Sequence, residues 1–282
     1  LRANLEVISP GLSRSQMRRL LRRNVNNFLK AWIDLLQMSH RPLGYWQDLI
    51  RFQDGHHLDE AHQGGRGVVI VSLHLGSWEA AIATLREHFD FATGLSLLAE
   101  QVRPIRCFNW LVRARQKVGC QVIPLNVDAV RSGDSEAVRR SGAAAARQIY
   151  RVLAADGVVV IAVDRDLLQT GIPLPFCGRR VSIPMGAVEI AARTGAAILP
   201  VCLLREANDN YVGRAYAPIR IAPGEHSRQE LRQIALQVLR VLEPNLTENP
   251  DQWHVMNPIF GEPMPDLEPL AEKPPRTTEV AS

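Results

Sequence analysis

Between Ser13 and Met38 apolar residues recur every three or four positions: Met17, Leu20, Leu21, Val25, Phe28, Leu29, Trp32, Ile33 and Leu36. Arg14, Arg18, Arg19, Arg22, Arg23 and Lys30 fill much of the remainder. That period predicts a basic amphipathic helix over 12–38. Two readings of it are compatible. The helix packs one face on the core and leaves its arginines solvated, or it adsorbs to anionic lipid, where each basic residue near the surface contributes about 1 kcal/mol.

After a polar stretch over 53–66 the pattern changes. Residues 67–73 (Gly-Val-Val-Ile-Val-Ser-Leu) form a short β-branched run of the kind that suits a strand buried on both faces. Gly76 and Ser77 supply a turn and a helix start, and 80–88 continue as helix. The alternation repeats: strand 95–98, helix 104–118 opened by Pro104, strand 121–125, alanine-rich helix 136–155 and strand 157–163. A loop rich in proline and glycine is expected over 167–183, then a helix over 185–193 ended by Gly195. Strands over 196–204 and 211–221 are set to pair in an antiparallel way across Asn208, Asp209 and Asn210, before a helix near 227–247. Strands alternating with helices predict an α/β fold, with a largely parallel central sheet flanked by helices and an N-terminal amphipathic helix. The catalytic core is expected within 66–222 of a domain over 1–261. Residues 262–282, rich in Pro, Glu and Thr, read as a disordered tail.

Composition narrows the function. Of 282 residues, 46% are hydrophobic and 22% charged, as in folded globular proteins, and the net charge of +4 is small for this length. No run reaches the ~18 apolar residues of a spanning helix. The charged start does not read as a signal peptide, and a chain beginning with Leu1 rather than Met leaves room for a preceding anchor. Cys107, Cys120, Cys177 and Cys202 have neither the spacing of a disulfide framework nor nearby histidines for zinc. They read as reduced thiols of a cytoplasmic compartment, and no metal is expected. There is no G-x-S-x-G elbow, no Walker loop and no G-x-G-x-x-G, which sets aside serine hydrolases and nucleotide binding. The arginine-rich helix has no aromatic stacking series, so nucleic acid is not expected. The sequence carries no signature of an oligomeric state.

The sharpest chemical feature is His74-Leu-Gly-Ser-Trp-Glu79, where a buried strand meets a helix start. Carboxyl ends of parallel strands are where sites form. Glu79, in the first helical turn, is positioned by spacing to accept the imidazole N–H and stabilise the imidazolium, giving a pair that abstracts a proton from an alcohol. The bland reading is that His74 satisfies backbone groups and Glu79 complements a helix dipole. Glu100, Arg115, and the run Asp164, Arg165 and Asp166 lie at comparable strand ends or the following helix, pointing to one cleft in which an arginine suits phosphate or carboxylate. On the strand-turn-helix path, Glu100 and Arg115 are expected to pair.

These blocks together resemble the lipid A biosynthesis acyltransferase superfamily, and within it the bacterial phosphatidylinositol mannoside acyltransferases. The resemblance rests on four ordered blocks. They are His74 with Glu79; Ala99-Glu100 with Pro104, Phe108, Arg115 and Gly119; Asp164 to Leu167 with Thr170-Gly171 and Phe176-Cys177-Gly178; and Gln252 to Val255 with Phe260. It implies a glycerolipid-acyltransferase-like fold and transfer of a fatty acyl group from a thioester, acyl-CoA or acyl carrier protein, to a glycolipid hydroxyl without an acyl-enzyme. His74 would be the general base, Glu79 its partner, and Glu100, Arg115, Asp164, Arg165, Asp166 and Arg179 the substrate-binding residues. No cofactor beyond the thioester co-substrate is implied. The expected place is the cytoplasmic face of the bacterial membrane, peripheral or N-terminally anchored. The mannoside acyltransferases usually carry Asp rather than Glu at position 79, and often Phe-Phe-Gly-Glu where this chain has Phe176-Cys177-Gly178-Arg179, whereas lipid A enzymes often have the Glu. The rival reading is a non-catalytic lipid-binding or lipid-transfer protein, in which His74 is structural.

Overall fold

The computed structural model describes residues 1–264 except 39, 43 and 89–93, so the expected tail lies, from 265 on, outside the described residues. Two helices, α1 (Arg2–Ile8) and α2 (Arg14–Met38), are followed by α3 (Gly44–Gln47), β1 (Ile50–Gln53) and α4 (His56–His62). Then come β2 (Val68–Ser72), α5 (Trp78–His88), β3 (Leu95–Glu100), α6 (Ile105–Lys117), β4 (Cys120–Leu125), α7 (Asp128–Ser132), α8 (Ser135–Ala154) and β5 (Val158–Ala162). The chain closes with β6 (Ile172–Phe176), β7 (Arg179–Ile183), α9 (Gly186–Thr194), β8 (Ala197–Arg205), β9 (Tyr211–Ala215) and α10 (Arg228–Glu248).

Seven strands form one sheet in the order β1-β9-β8-β2-β5-β3-β4. Every pairing in it is parallel except β8 with β9, which is the antiparallel pair expected from the sequence. The expected fold class is therefore present. The central strand β2 is buried along its whole length. Alternation sends Val69 and Val71 into one cluster with α8, α9 and α10, and Val68 and Ile70 into another with α4, α5 and α6.

Three departures have local causes. The 167–183 loop contains a β6–β7 hairpin, whose prolines, Pro173 and Pro175, sit on a two-stranded ribbon where missing N–H groups are tolerated. Residues 50–62, which overlap the polar 53–66 stretch, supply β1 and α4; β1 is an edge strand whose apolar-polar alternation runs for only four residues, Ile50 to Gln53. Glu262 and Met264 hydrogen-bond along that hairpin, to Arg180 and Gly178, so the first tail residues are docked.

Helix α2 departs in a more consequential way. Met17, Leu20, Leu35 and Met38 face the core. Val25, Leu29, Trp32, Ile33 and Leu36 are 43–55% exposed. At helical spacing, positions 14, 18 and 22 share a stripe with 25, 29, 32 and 36. The outer face is thus basic in its first half and apolar in its second, rather than basic opposite an apolar packing face.

Candidate active site

Register builds the centre of the site. In the parallel pair β2–β5, Ser72 is aligned with Ala162, and Val163 N–H continues to Ser72 C=O. His74 and Asp164 each lie two residues beyond that aligned pair, so neighbouring strand ends bring them together although they are 90 positions apart. His74 Nδ1 lies 2.7 Å from Asp164 Oδ1, and the His74 backbone N–H donates to Asp164 Oδ2 at 2.8 Å. A third donor, Trp253 Nε1–H, reaches the same Oδ2 at 2.8 Å.

Asp164 is fully buried. Burial alone would push its carboxyl pKa up, but the His74 ring and the hydrogen bonds from His74 and Trp253 outweigh that and hold it below the usual carboxylate range. An ionised Asp164 accepts from Nδ1–H, which fixes the tautomer and leaves the Nε2 lone pair free of any hydrogen bond from the described residues.

The turn after His74 needs glycine. Gly76 has φ +72°, and a Cβ there would lie 1.7 Å from the Leu203 carbonyl oxygen. Its N–H goes to Gln252 C=O, and His254 N–H goes to His74 C=O. The segment Gln252 to Val255 is therefore the wall against which the His74 turn is built. Trp78 closes the other side, with Nε1–H on Leu73 C=O and its ring 6.0 Å from the His74 ring.

Glu79 does not partner His74. Its two oxygens accept from Arg115 Nη2 at 2.8 Å and Nε at 3.3 Å, with both side chains about nine-tenths buried. The expected Glu100–Arg115 pair is likewise absent, and Glu100 instead accepts from Arg165 Nη2 at 3.2 Å. Glu79 starts α5 and Arg115 lies on α6, two helices that bury residues in the same cluster, so the planar guanidinium reaches the carboxylate, while Glu100 ends β3 next to the end of β5 and meets Arg165.

His74, Glu79, Glu100, Arg115 and Arg165 line one cavity of about 680 Å³. Most of its remaining wall is apolar, with Phe28, Trp32 and Leu35 contributed by α2 and Leu111 by α6. A second cavity of about 700 Å³, between α8 and α9, abuts it at Leu98, Leu125, Ala162, Arg165 and Leu167. Two other expected substrate residues lie outside the first cavity, and of these Asp166 borders the second. The Asp166 carboxylate accepts from Thr170 N–H, Gly171 N–H and Ser182 O–H, so it holds the hairpin loop. Arg179 lies on β7 and borders neither cavity.

Sequence reasoning did not give Trp253 or His254 a role. The His254 ring lies in the cavity wall 5.4 Å from the Phe28 ring. Burial, aided by His74, pushes its pKa down to about 4, against the opposing effect of a hydrogen bond with the Gly76 backbone. The only signal for either residue was the compact Gln252 to Val255 block. Among the described residues no group of histidines, cysteines and carboxylates is placed to hold a metal ion, and no helix is long and apolar enough to cross a membrane.

The family model for bacterial lipid A biosynthesis acyltransferases matches residues 1–261. The chain is 26% identical over 247 residues to a phosphatidylinositol mannoside acyltransferase of Mycolicibacterium smegmatis, covering 85% of this chain and 71% of that protein. A phosphatidylinositol mannoside acyltransferase of Mycobacterium tuberculosis (strain CDC 1551 / Oshkosh) is 26% identical over 245 residues, covering 83% and 68%. The 1-acyl-sn-glycerophosphate acyltransferase of Thermotoga maritima aligns with a TM-score of 0.39 at 16% identity over 90% of this chain and 93% of that one.

Proposed function

The chain belongs to the bacterial lipid A biosynthesis acyltransferase family, and from that premise we propose that it transfers a fatty acyl group from a thioester to a glycolipid hydroxyl with His74 as general base. One observation carries this reading: His74 Nδ1 is taken by the buried Asp164, which leaves Nε2 as the proton acceptor in the wall of an apolar cavity. Nε2 removes the proton from the acceptor hydroxyl. The oxygen attacks the thioester carbonyl, the C–S bond breaks, and the proton on Nε2 is available to the departing thiolate. Asp164 stabilises the imidazolium while it lasts, the part the sequence spacing assigned to Glu79. Glu79 instead holds Arg115 rigid in the cavity wall.

The acceptor we propose is a phosphatidylinositol mannoside or a lipid A type precursor, the former favoured by the names of the two mycobacterial relatives. Arg103 and Arg165, in the same cavity and each paired with one carboxylate among the described residues, suit a phosphate or the charged part of the thioester, coenzyme A or acyl carrier protein. No other cofactor takes part. The exposed apolar half of α2 lies beside the cavity residues Phe28, Trp32 and Leu35, and its first half carries Arg14, Arg18, Arg19, Arg22 and Arg23. That surface suits peripheral seating on an anionic leaflet, which in the cell is the cytoplasmic face of the membrane. Lipid transfer without chemistry would not require a buried carboxylate to fix the tautomer of His74.

The test is transfer of a labelled acyl group from acyl-CoA to phosphatidylinositol mannoside by the purified protein and by His74→Ala. Loss of about 10²–10⁴-fold in turnover is expected, with lipid binding retained. Equal turnover in the two proteins would refute the role of His74.

A further inference from the structure

The exposed stripe of α2 sits outside the catalytic centre, yet the inner face of the same helix is bonded to it at two points. The polar residues among the buried positions of α2 are Asn24 and Asp34, ten positions and nearly three turns apart. Asn24 Nδ2 donates to the Trp253 carbonyl at 2.7 Å and to the Pro250 carbonyl at 3.2 Å. Trp253 is the residue whose indole holds Asp164. Asp34 Oδ2 accepts from Ser77 O–H at 2.6 Å and from Arg205 Nη2 at 2.5 Å. Ser77 in turn accepts from Ala80 N–H at the start of α5, so it fixes the turn that carries His74 at one end and Glu79 at the other.

The second contact is a buried charge cluster. Asp34 is 5% exposed and Ser77 2%. The Arg205 guanidinium lies 4.6 Å from the centre of the buried Tyr211 ring, and Arg205 N–H and C=O are both bonded to the Gln252 side chain. A carboxylate and a guanidinium at this depth separate only at a high cost in unpaired charge. Helix α2 therefore does not slide on the core without carrying Ser77 and the 252–254 wall with it.

We propose that Asn24 and Asp34 are positioning residues which couple the seating of α2 on an anionic lipid surface to the geometry of His74 and Asp164, so that the surface itself, apart from any acceptor it delivers, activates acyl transfer. This rests on the membrane seating proposed above. Lipid bilayer is the occupant that the outer face fits. Five exposed arginines lead into the exposed Val25, Leu29, Trp32, Ile33 and Leu36, matching charged headgroups and the acyl boundary along one helix. A surface shifts the site in this way by binding the seated position of α2 more tightly than any other.

The test uses a short-chain acyl-CoA and a water-soluble short-chain mannoside acceptor, with and without acceptor-free vesicles of phosphatidylglycerol and phosphatidylcholine. Sedimentation of the protein with the vesicles is read in parallel. Wild type is expected to sediment and to gain about fivefold or more in kcat, the lower range of coupling between two sites. The double variant Asp34→Leu with Arg205→Met replaces the buried pair by apolar groups, a change that generally keeps a fold. It should sediment as wild type does and show a ratio near one. Asp34→Asn, which keeps the shape and an acceptor for Ser77, should lie between. A double or Asn variant with the wild-type ratio overturns the coupling, as does a wild type that sediments without any gain. A wild type that fails to sediment refutes the membrane seating on which the coupling rests.

Discussion

The His74–Asp164 couple and the Glu79–Arg115 pair stand at the two ends of one turn, and they are built in opposite ways. Asp164 is fully buried and receives three N–H groups, two from His74 and one from Trp253. Among the described residues, the ion-pair partner it has is a ring whose charge comes and goes with a proton. Glu79 is nearly as buried, but both oxygens rest on a guanidinium that is always charged. The first arrangement rewards the appearance of a proton on His74. The second is closed to proton traffic and gives rigidity. Burial and a carboxylate are common to both, so on the proposed mechanism what would separate a catalytic partner from a structural one is whether the cation facing it is transient.

The largest test of this contrast is Asp164→Asn. It keeps the shape but offers an amide to Nδ1, and kcat should fall by about 10²–10⁴-fold, whereas Glu79→Gln should stay within about tenfold. Steady-state kinetics of the two variants, with folding checked by circular dichroism, measure it. An equal or larger loss in Glu79→Gln would return the role to Glu79. Next in size is stability. Arg115→Ala strands a buried carboxylate and should cost about 3–5 kcal/mol in urea unfolding, while Arg165→Ala, where Arg165 is 27% and Glu100 19% exposed, should cost within about 1 kcal/mol. Similar costs would show that burial does not separate the two pairs.

The smallest effect is in pH. His254 is neutral in the fold down to about pH 4, while an unfolded histidine takes up its proton near 6.5. In that window the unfolded chain binds more protons at this residue, so the contribution of His254 to stability should fall as pH drops from 6.5 towards about 4 and stay constant below, where loss from the ionised Asp164 takes over. His254→Phe should flatten this fall in thermal unfolding curves, and an unchanged slope would move its source to another group.

The same contrast explains what could be read from the sequence. His74 and Glu79 are five positions apart on one strand-turn-helix unit, so their common place in a cleft is a local fact, and both do line the cavity. Partner choice is not local. Asp164 meets His74 because β5 lies next to β2 with Ser72 level with Ala162, and strand order and register are not written in the spacing of either motif. Glu79 and Glu100 likewise pair with arginines supplied by other elements, Arg115 on α6 and Arg165 beyond β5. Helix α2 was legible as a helix, and its arginines as exposed. That its apolar second half stays outside depends on Asn24 and Asp34 occupying the inner face, where the sequence shows two polar residues without showing what they bond.

The most direct measurement is nitrogen NMR of the His74 imidazole in protein labelled at histidine, held at a pH where the ring is neutral. The account predicts a proton on Nδ1 and a bare Nε2 in wild type, the same tautomer in Glu79→Gln, and its loss in Asp164→Asn. A tautomer that survives Asp164→Asn and is lost in Glu79→Gln would contradict it.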